Sequence, residues 1–193
     1  MTLADHILYA GAWAGFALCH SLTAGAGPSH GMGRLFGRGH RLAYNALAFV
    51  QIVVVLGLGR WLAQGNQPFA QPLWLTSLRW GMVVCGLVLG LFALRAYRLG
   101  PFVGWAQLRG EEDAAQDLAV AGLHRHMRHP LYTAALLLLW GRVDHELALA
   151  TAIWASLYLA VGSHFEERRL LARYGEAYSR YRAITPRFFP SLF

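Results

Sequence analysis

Apolar positions along this chain do not alternate; they come in long blocks separated by short arginine-rich segments. Three blocks, Leu3–Ala24, Ala43–Ala63 and Leu73–Leu94, approach or exceed the ~20 residues that a helix needs to cross a bilayer. The first places Asp5 and His6 where a signal peptide would be basic, so it reads as a span. A fourth block, Pro130–Gly141, supplies only about 18 Å of helix. A fifth, His145–Gly162, comes after the tip Gly141-Arg142-Val143-Asp144, and the pair predicts a tight helical hairpin. From His164 to Arg182, Leu170, Leu171, Tyr174, Ala177, Tyr178 and Tyr181 recur near helical spacing among arginines, which predicts an amphipathic interfacial helix. Gly175 weakens that helix; Pro186 and Pro190 end it and leave Thr185–Phe193 extended. The expected fold is all-α: a polytopic membrane protein of five transmembrane helices, the last two a hairpin, plus the C-terminal amphipathic helix. It forms one integral membrane domain over 1–193, with three spans in 1–95 and the chemistry in 120–193.

Composition agrees with that reading. Charged residues make up 14% of the 193, against about 25% in ordinary soluble domains, and 56% are hydrophobic. Disorder is excluded by the same figures. All 17 cations are arginine, against 10 acids, for a net charge of +7. Their placement between apolar runs points to membrane topology rather than to nucleic acid. Arg34, Arg38, Arg41, Arg98, Arg109, Arg125, Arg128, Arg168, Arg169, Arg173, Arg180, Arg182 and Arg187 fall on one side of the five spans, and Arg142 on the other. The positive-inside rule then puts the N-terminus outside, in the periplasm if the membrane is a bacterial inner one, and the C-terminus in the cytoplasm. Cys19 and Cys85 both lie in apolar stretches, so neither a disulfide framework nor metal-ligand spacing exists.

Polar groups within or just beneath spans are functional candidates. The first cluster is Gly122-Leu123-His124-Arg125-His126-Met127-Arg128-His129-Pro130-Leu131-Tyr132. Pro130 suits a first helical turn and pushes His129 out of the α region, so Arg128 and His129 stand at a helix N-terminus that favours an anion. The second cluster is Glu166-Glu167, with Tyr178, Tyr181 and Arg182 after it. Together they suit a zwitterion that also carries a cation. Its carboxylate would meet Arg128 and the helix N-terminus; its positive centre would meet Tyr132 or Trp140, or Glu166 or Glu167. S-adenosylmethionine is such a molecule, and methyl transfer from it needs positioning and a dry site more than a protein nucleophile. Plainer readings stand beside these. Arg125 suits a positive-inside anchor, and Glu166-Glu167 alone would suit a solvated face paired with Arg169 or Arg173. The tyrosines suit an aromatic belt, His20 an interior hydrogen bond, and Arg79 a snorkelling side chain. Gly86 and Gly90 form a small-xxx-small pattern that is common in spans.

The ordered set Gly122-Leu123, Arg128-His129-Pro130-x-Tyr132, Glu166-Glu167, Gly175-x-x-Tyr178-x-x-Tyr181-Arg182 and Pro186…Pro190 resembles the isoprenylcysteine carboxyl methyltransferase family of integral membrane enzymes. The resemblance covers roughly residues 120–190. It implies S-adenosylmethionine at the cytosolic ends of the last spans, along Gly122, Leu123, His126, Arg128, His129, Pro130 and Tyr132, with Glu166 and Glu167 closing the pocket. Arg182 is then the candidate contact for an anionic acceptor, and Glu167 a second catalytic candidate. His20-Ser21 and His40-Arg41-Leu42-Ala43-Tyr44-Asn45 resemble bacterial members, among them the denitrification-associated NnrU proteins and the methanethiol S-methyltransferases; Trp140 resembles the latter group. Ile184 stands where prenylcysteine enzymes carry a basic residue, which leaves a small thiol, carboxylate or lipid as the acceptor class. Membrane reductases that use NADPH share part of the pattern, but Leu131-Tyr132-Thr133-Ala134 lacks their Asn-Tyr and Gly-Glu. A non-enzymatic redox-pathway protein, with haem on His20, His40, His126 or His129, is the third class the residues leave open.

Overall fold

The computed structural model describes residues 1–24, 32–95, 100, 103–111, 118 and 120–190; Arg98 and residues 191–193, named above, lie outside them. The described residues form α1 (Leu3–Ala24), α2 (Met32–Phe36), α3 (His40–Leu62), α4 (Leu73–Leu94), α5 (Trp105–Leu108), α6 (Pro130–Gly141), α7 (Glu146–Tyr174) and α8 (Glu176–Ile184), with 3-10 turns at Gly37–Gly39 and Gly122–Arg125 and no strand among them. The run Gly33–Leu62, α4 and α7 are each long and apolar enough to cross a membrane. Their outward side chains, such as Val54, Leu91, Phe92 and Val161, are apolar and exposed, as lipid-facing surfaces are. At 12 residues α6 is too short to cross alone.

The chain divides into two compact units, residues 1–66 with 98–115 and residues 67–97 with 116–193. In the first, α1 packs on α3. Tyr9, Trp13 and Phe16 of α1 and Val55 of α3 are buried there. His20 is hydrogen-bonded to the Tyr44 hydroxyl at 2.5 Å, the interior histidine expected. Asn45 Nδ2 donates to the Val103 carbonyl at 3.0 Å and fastens the start of α3 to the segment before α5.

In the second unit α4 and α6 pack most closely, with α7 against α6. Small residues allow it. A Cβ on Gly141 would lie 2.8 Å from both the Arg79 carbonyl and Val83 Cγ2, and one on Gly86 2.9 Å from Leu138 Cγ. The Gly86 face is therefore occupied within the chain, by α6. Arg79 does not snorkel: its guanidinium meets Asp144 at 3.5 Å and also bonds Gln71 Oε1. Phe69 N donates to the Asp144 carbonyl at 2.7 Å, so the hairpin tip is tied to the chain entering α4.

Two boundaries differ from the sequence reading. The fifth block does not stop at Gly162; α7 runs unbroken to Tyr174, because nothing between them removes a backbone donor or demands a left-handed backbone. The amphipathic stretch divides instead at Gly175, whose φ of +56° an L-residue rarely adopts. Beyond it the nine-residue α8 stops at Ile184, short of Pro186. Gly141→Ala is expected to cost about 1–3 kcal/mol by overpacking α6 against the α4 backbone. Gly90→Ala, whose Cβ would meet Ala134 Cβ at an ordinary 3.6 Å, should be near neutral; thermal unfolding in detergent compares the two.

Candidate functional site

The base of α6 is held by the chain beyond α8. Arg128 N donates to the Pro186 carbonyl at 2.9 Å and His129 N to the Arg187 carbonyl at 3.0 Å. One turn into α6, Thr133 Oγ1 donates to the Phe188 carbonyl at 2.5 Å. The Tyr181 hydroxyl donates to the His124 carbonyl at 2.6 Å, and His124 Nδ1 meets the Arg128 carbonyl at 3.2 Å. Pro130 starts the helix, where its missing N–H costs nothing.

Beneath this backbone lies Glu167, whose side chain is 3% exposed. Arg128 reaches its Oε1 through Nε at 2.9 Å and Nη2 at 2.8 Å. Arg187 supplies Nε at 3.2 Å to Oε1 and Nη2 at 2.9 Å to Oε2. Arg128 also donates through Nη1 to the carbonyls of Arg182, at 2.9 Å, and Thr185. Its fork is thus engaged largely inside the protein, by a carboxylate and two carbonyls. A buried charge needs such saturation, and removing either partner of so dry a pair costs about 3–5 kcal/mol.

His129 sits on the edge of the clamp. Its ring stacks on Tyr132 at 5.1 Å and tilts against Phe188 at 6.0 Å. Burial pushes its pKa down, against the pull of Glu166 and Glu167, and favours the neutral imidazole. Nε2 lies 3.2 Å from Glu167 Oε1, and the neutral tautomer that donates to this carboxylate leaves Nδ1 as a lone pair. That lone pair stands 3.6 Å from Glu166 Oε2, which itself accepts from the Tyr132 hydroxyl at 2.9 Å. Two acceptors thus converge on one place, and the Glu166 side chain is 39% exposed. Such a place suits a cationic donor. Tyr178 is nearly fully buried, its hydroxyl has no hydrogen-bond partner, and burial pushes its pKa up to about 12, so it stays a donor.

Arg128, His129, Pro130, Tyr132, Glu166 and Glu167 come together, as their order in the sequence leads one to expect. Gly122 and Leu123 open the 3-10 turn beside them. His126 is exposed, and Arg182 joins through its carbonyl while its side chain is exposed. Arg187, Thr133 and Phe188 carry no site signal in the sequence beyond tail charge and apolar filler. The one hint for Arg187 is its place directly after Pro186. Trp140 Nε1 donates to Ser156 Oγ at 3.0 Å, between the arms of the hairpin. Among the described residues no group of three His, Cys, Asp or Glu side chains is placed to hold a metal. A cavity of about 350 Å³ lies at the far end of α6, lined by Leu138, Leu139, Arg142, His145 and Thr151, away from this cluster.

Methanethiol S-methyltransferase of Pseudomonas sp. (strain GM41(2012)) is 29% identical over 132 residues, 60% of this chain and 48% of its own length. Methanethiol S-methyltransferase 2 of Bradyrhizobium diazoefficiens is 28% identical over 137 residues, 66% of this chain and 53% of its own. That of Pseudomonas deceptionensis is 30% identical over 71 residues, 36% of this chain and 27% of its own. The chain thus spans about half the length of the first two curated relatives it matches. No family model matches, and no solved structure does.

His129 and His124 are both held below the usual histidine pKa by burial, so the unfolded chain binds more protons than the folded one below about pH 6.5. The stability this contributes is full above that pH and is lost as pH falls toward the folded values. Thermal unfolding should therefore weaken from pH 7.5 to about 5.5, and His129→Asn should flatten the slope.

Proposed function

We propose that this chain is an integral membrane methyltransferase that moves a methyl group from S-adenosylmethionine to a small thiol at the cytosolic face of a bacterial inner membrane. The observation that carries the reading is the convergence of two acceptors, His129 Nδ1 and the half-exposed Glu166 carboxylate, beside the saturated Arg128–Glu167–Arg187 clamp. The likeness to methanethiol S-methyltransferases supports the reaction class and the small thiol. The arginine asymmetry supports five spans with the N-terminus outside and the C-terminus in the cytoplasm.

The residues present fit such a ligand. Glu166 and His129 Nδ1 would receive its ammonium, the Tyr132 face its positive charge, and the Tyr178 hydroxyl an acceptor atom. Gly122, Leu123 and His126 would flank it, with Pro130 fixing the end of α6. S-adenosylmethionine, when bound, supplies an electrophilic methyl on a sulfonium, which a sulfur nucleophile takes by in-line displacement. The protein's part is to exclude water, hold the reactants in line and present the thiol as a thiolate. The exposed Arg182 side chain is the group suited to attract that thiolate, whose proton leaves to solvent. Arg128 and Glu167 keep the walls of the site in place.

Calorimetric titration of S-adenosylhomocysteine into detergent-purified protein tests this, with NADPH titrated in parallel. Saturable binding of the nucleoside alone is expected. Glu166→Gln should weaken it about tenfold or more with Tm unchanged, as removal of a charged hydrogen-bond partner does. Arg128→Ala and Glu167→Ala should abolish it in protein that still inserts. Wild-type affinity in both defeats the site; binding of NADPH alone defeats the reaction.

A further inference from the structure

Among the described residues, α1 and α3 of the first unit bury two side-chain polar atoms without a hydrogen-bond partner, and the site above uses neither. His20 lies near the end of α1 and Tyr44 near the start of α3, so their hydrogen bond sets the register of two helices running in opposite directions. Seven residues, two turns or about 10.5 Å, lead back from His20 to Trp13 and forward from Tyr44 to Gln51. Both steps return to the same helix face. Four residues further on stand Tyr9 and Val55, both buried, so the register holds along the interface. Trp13 and Gln51 therefore occupy one level of it.

Trp13 is 5% exposed and packs edge-on between Tyr9, 6.3 Å away, and Phe16, 5.9 Å away. Its indole Nε1, a donor only, is buried without a partner; so is Gln51 Oε1, an acceptor. Unmatched polar atoms are costly inside an apolar helix pair, and a native one calls for a guest. Here the two have opposite polarity, share a level and do not bond each other. The charged side chains of α1 and α3, Asp5, Arg41 and Arg60, stand at the helix ends, so nothing at this level would neutralise an ion.

We infer that Trp13 and Gln51 form a small buried binding site for a neutral head group that accepts one hydrogen bond and donates another, the chemistry of water or of a small thiol. The indole N–H donates to the oxygen or sulfur of the guest, and its O–H or S–H donates to Gln51 Oε1. The thiol source rests on the activity proposed above; the water source does not.

Ultraviolet resonance Raman of full-length protein in nanodiscs reads the site, as the difference between wild type and Trp13→Phe with and without ethanethiol. A hydrogen-bonded indole signature indifferent to ethanethiol identifies water. One that shifts on adding ethanethiol, and no longer shifts in Gln51→Leu, identifies the thiol. Either supports the site. Thermal unfolding gives the second readout. With a guest in place, Trp13→Phe and Gln51→Leu each strand the other partner and lower Tm by about 2–4 °C, while the double variant falls no further than either single. An indole free of hydrogen bonding in every condition, or single variants that raise Tm by removing an unmatched polar atom, overturns the inference. Failure of wild type to bind S-adenosylhomocysteine would sink the proposed activity and leave the indole signature unmoved.

Discussion

A carboxylate shut away from water has to be matched, and the second unit is arranged around that requirement at Glu167. Arg128 reaches it from the base of α6 and Arg187 from the chain beyond α8, so one buried charge joins three parts of the sequence. Arginine suits both positions, because its planar fork serves a carboxylate and backbone carbonyls at once where a lysine would offer a single point charge. Once Arg128 holds Glu167 and the carbonyls of Arg182 and Thr185, the tail has little freedom left. The backbone pairings of residues 128 and 129 with 186 and 187 are a consequence.

That commitment changes what each charged group can do. A guanidinium saturated by the protein is better placed to shape a cavity than to recognise a substrate. In the proposed site, recognition falls to the groups at its edge, the half-exposed Glu166 and the lone pair of a neutral His129. Burial keeps the imidazole neutral and so keeps an acceptor there; a protonated ring would bridge the two glutamates and close the place.

The short hairpin has its own constraint at the opposite end. Twelve residues of α6 give about 18 Å, and the tip is held by Arg79 and Asp144 rather than left to find its own depth. Gly86 and Gly141 let α6 approach the α4 backbone closely enough for that tie to form. A pattern that in isolation suggests helix association between chains is used here inside one.

Much of this was legible in the order of residues. Apolar run lengths marked α1, α4 and α6 to the residue, because an apolar helical run or a proline-capped first turn is a local property. The Arg-His-Pro and Glu-Glu signatures named residues that the fold brings together, since such groups are costly near a membrane without cause. The end of α7 was legible only in part: Gly175 stood out as a weak point, but helical periodicity continues through Gly162, and the positive φ at Gly175 shows that the axis breaks there and not before. The partner of Glu167 was not legible: Arg169 and Arg173 were nearer along the chain than Arg128 or Arg187. Local spacing determines which residues share a helix face, and so the elements and the inventory of charges. Which arginine neutralises a buried carboxylate depends on which segments pack around it and exclude water, and that only the tertiary structure decides.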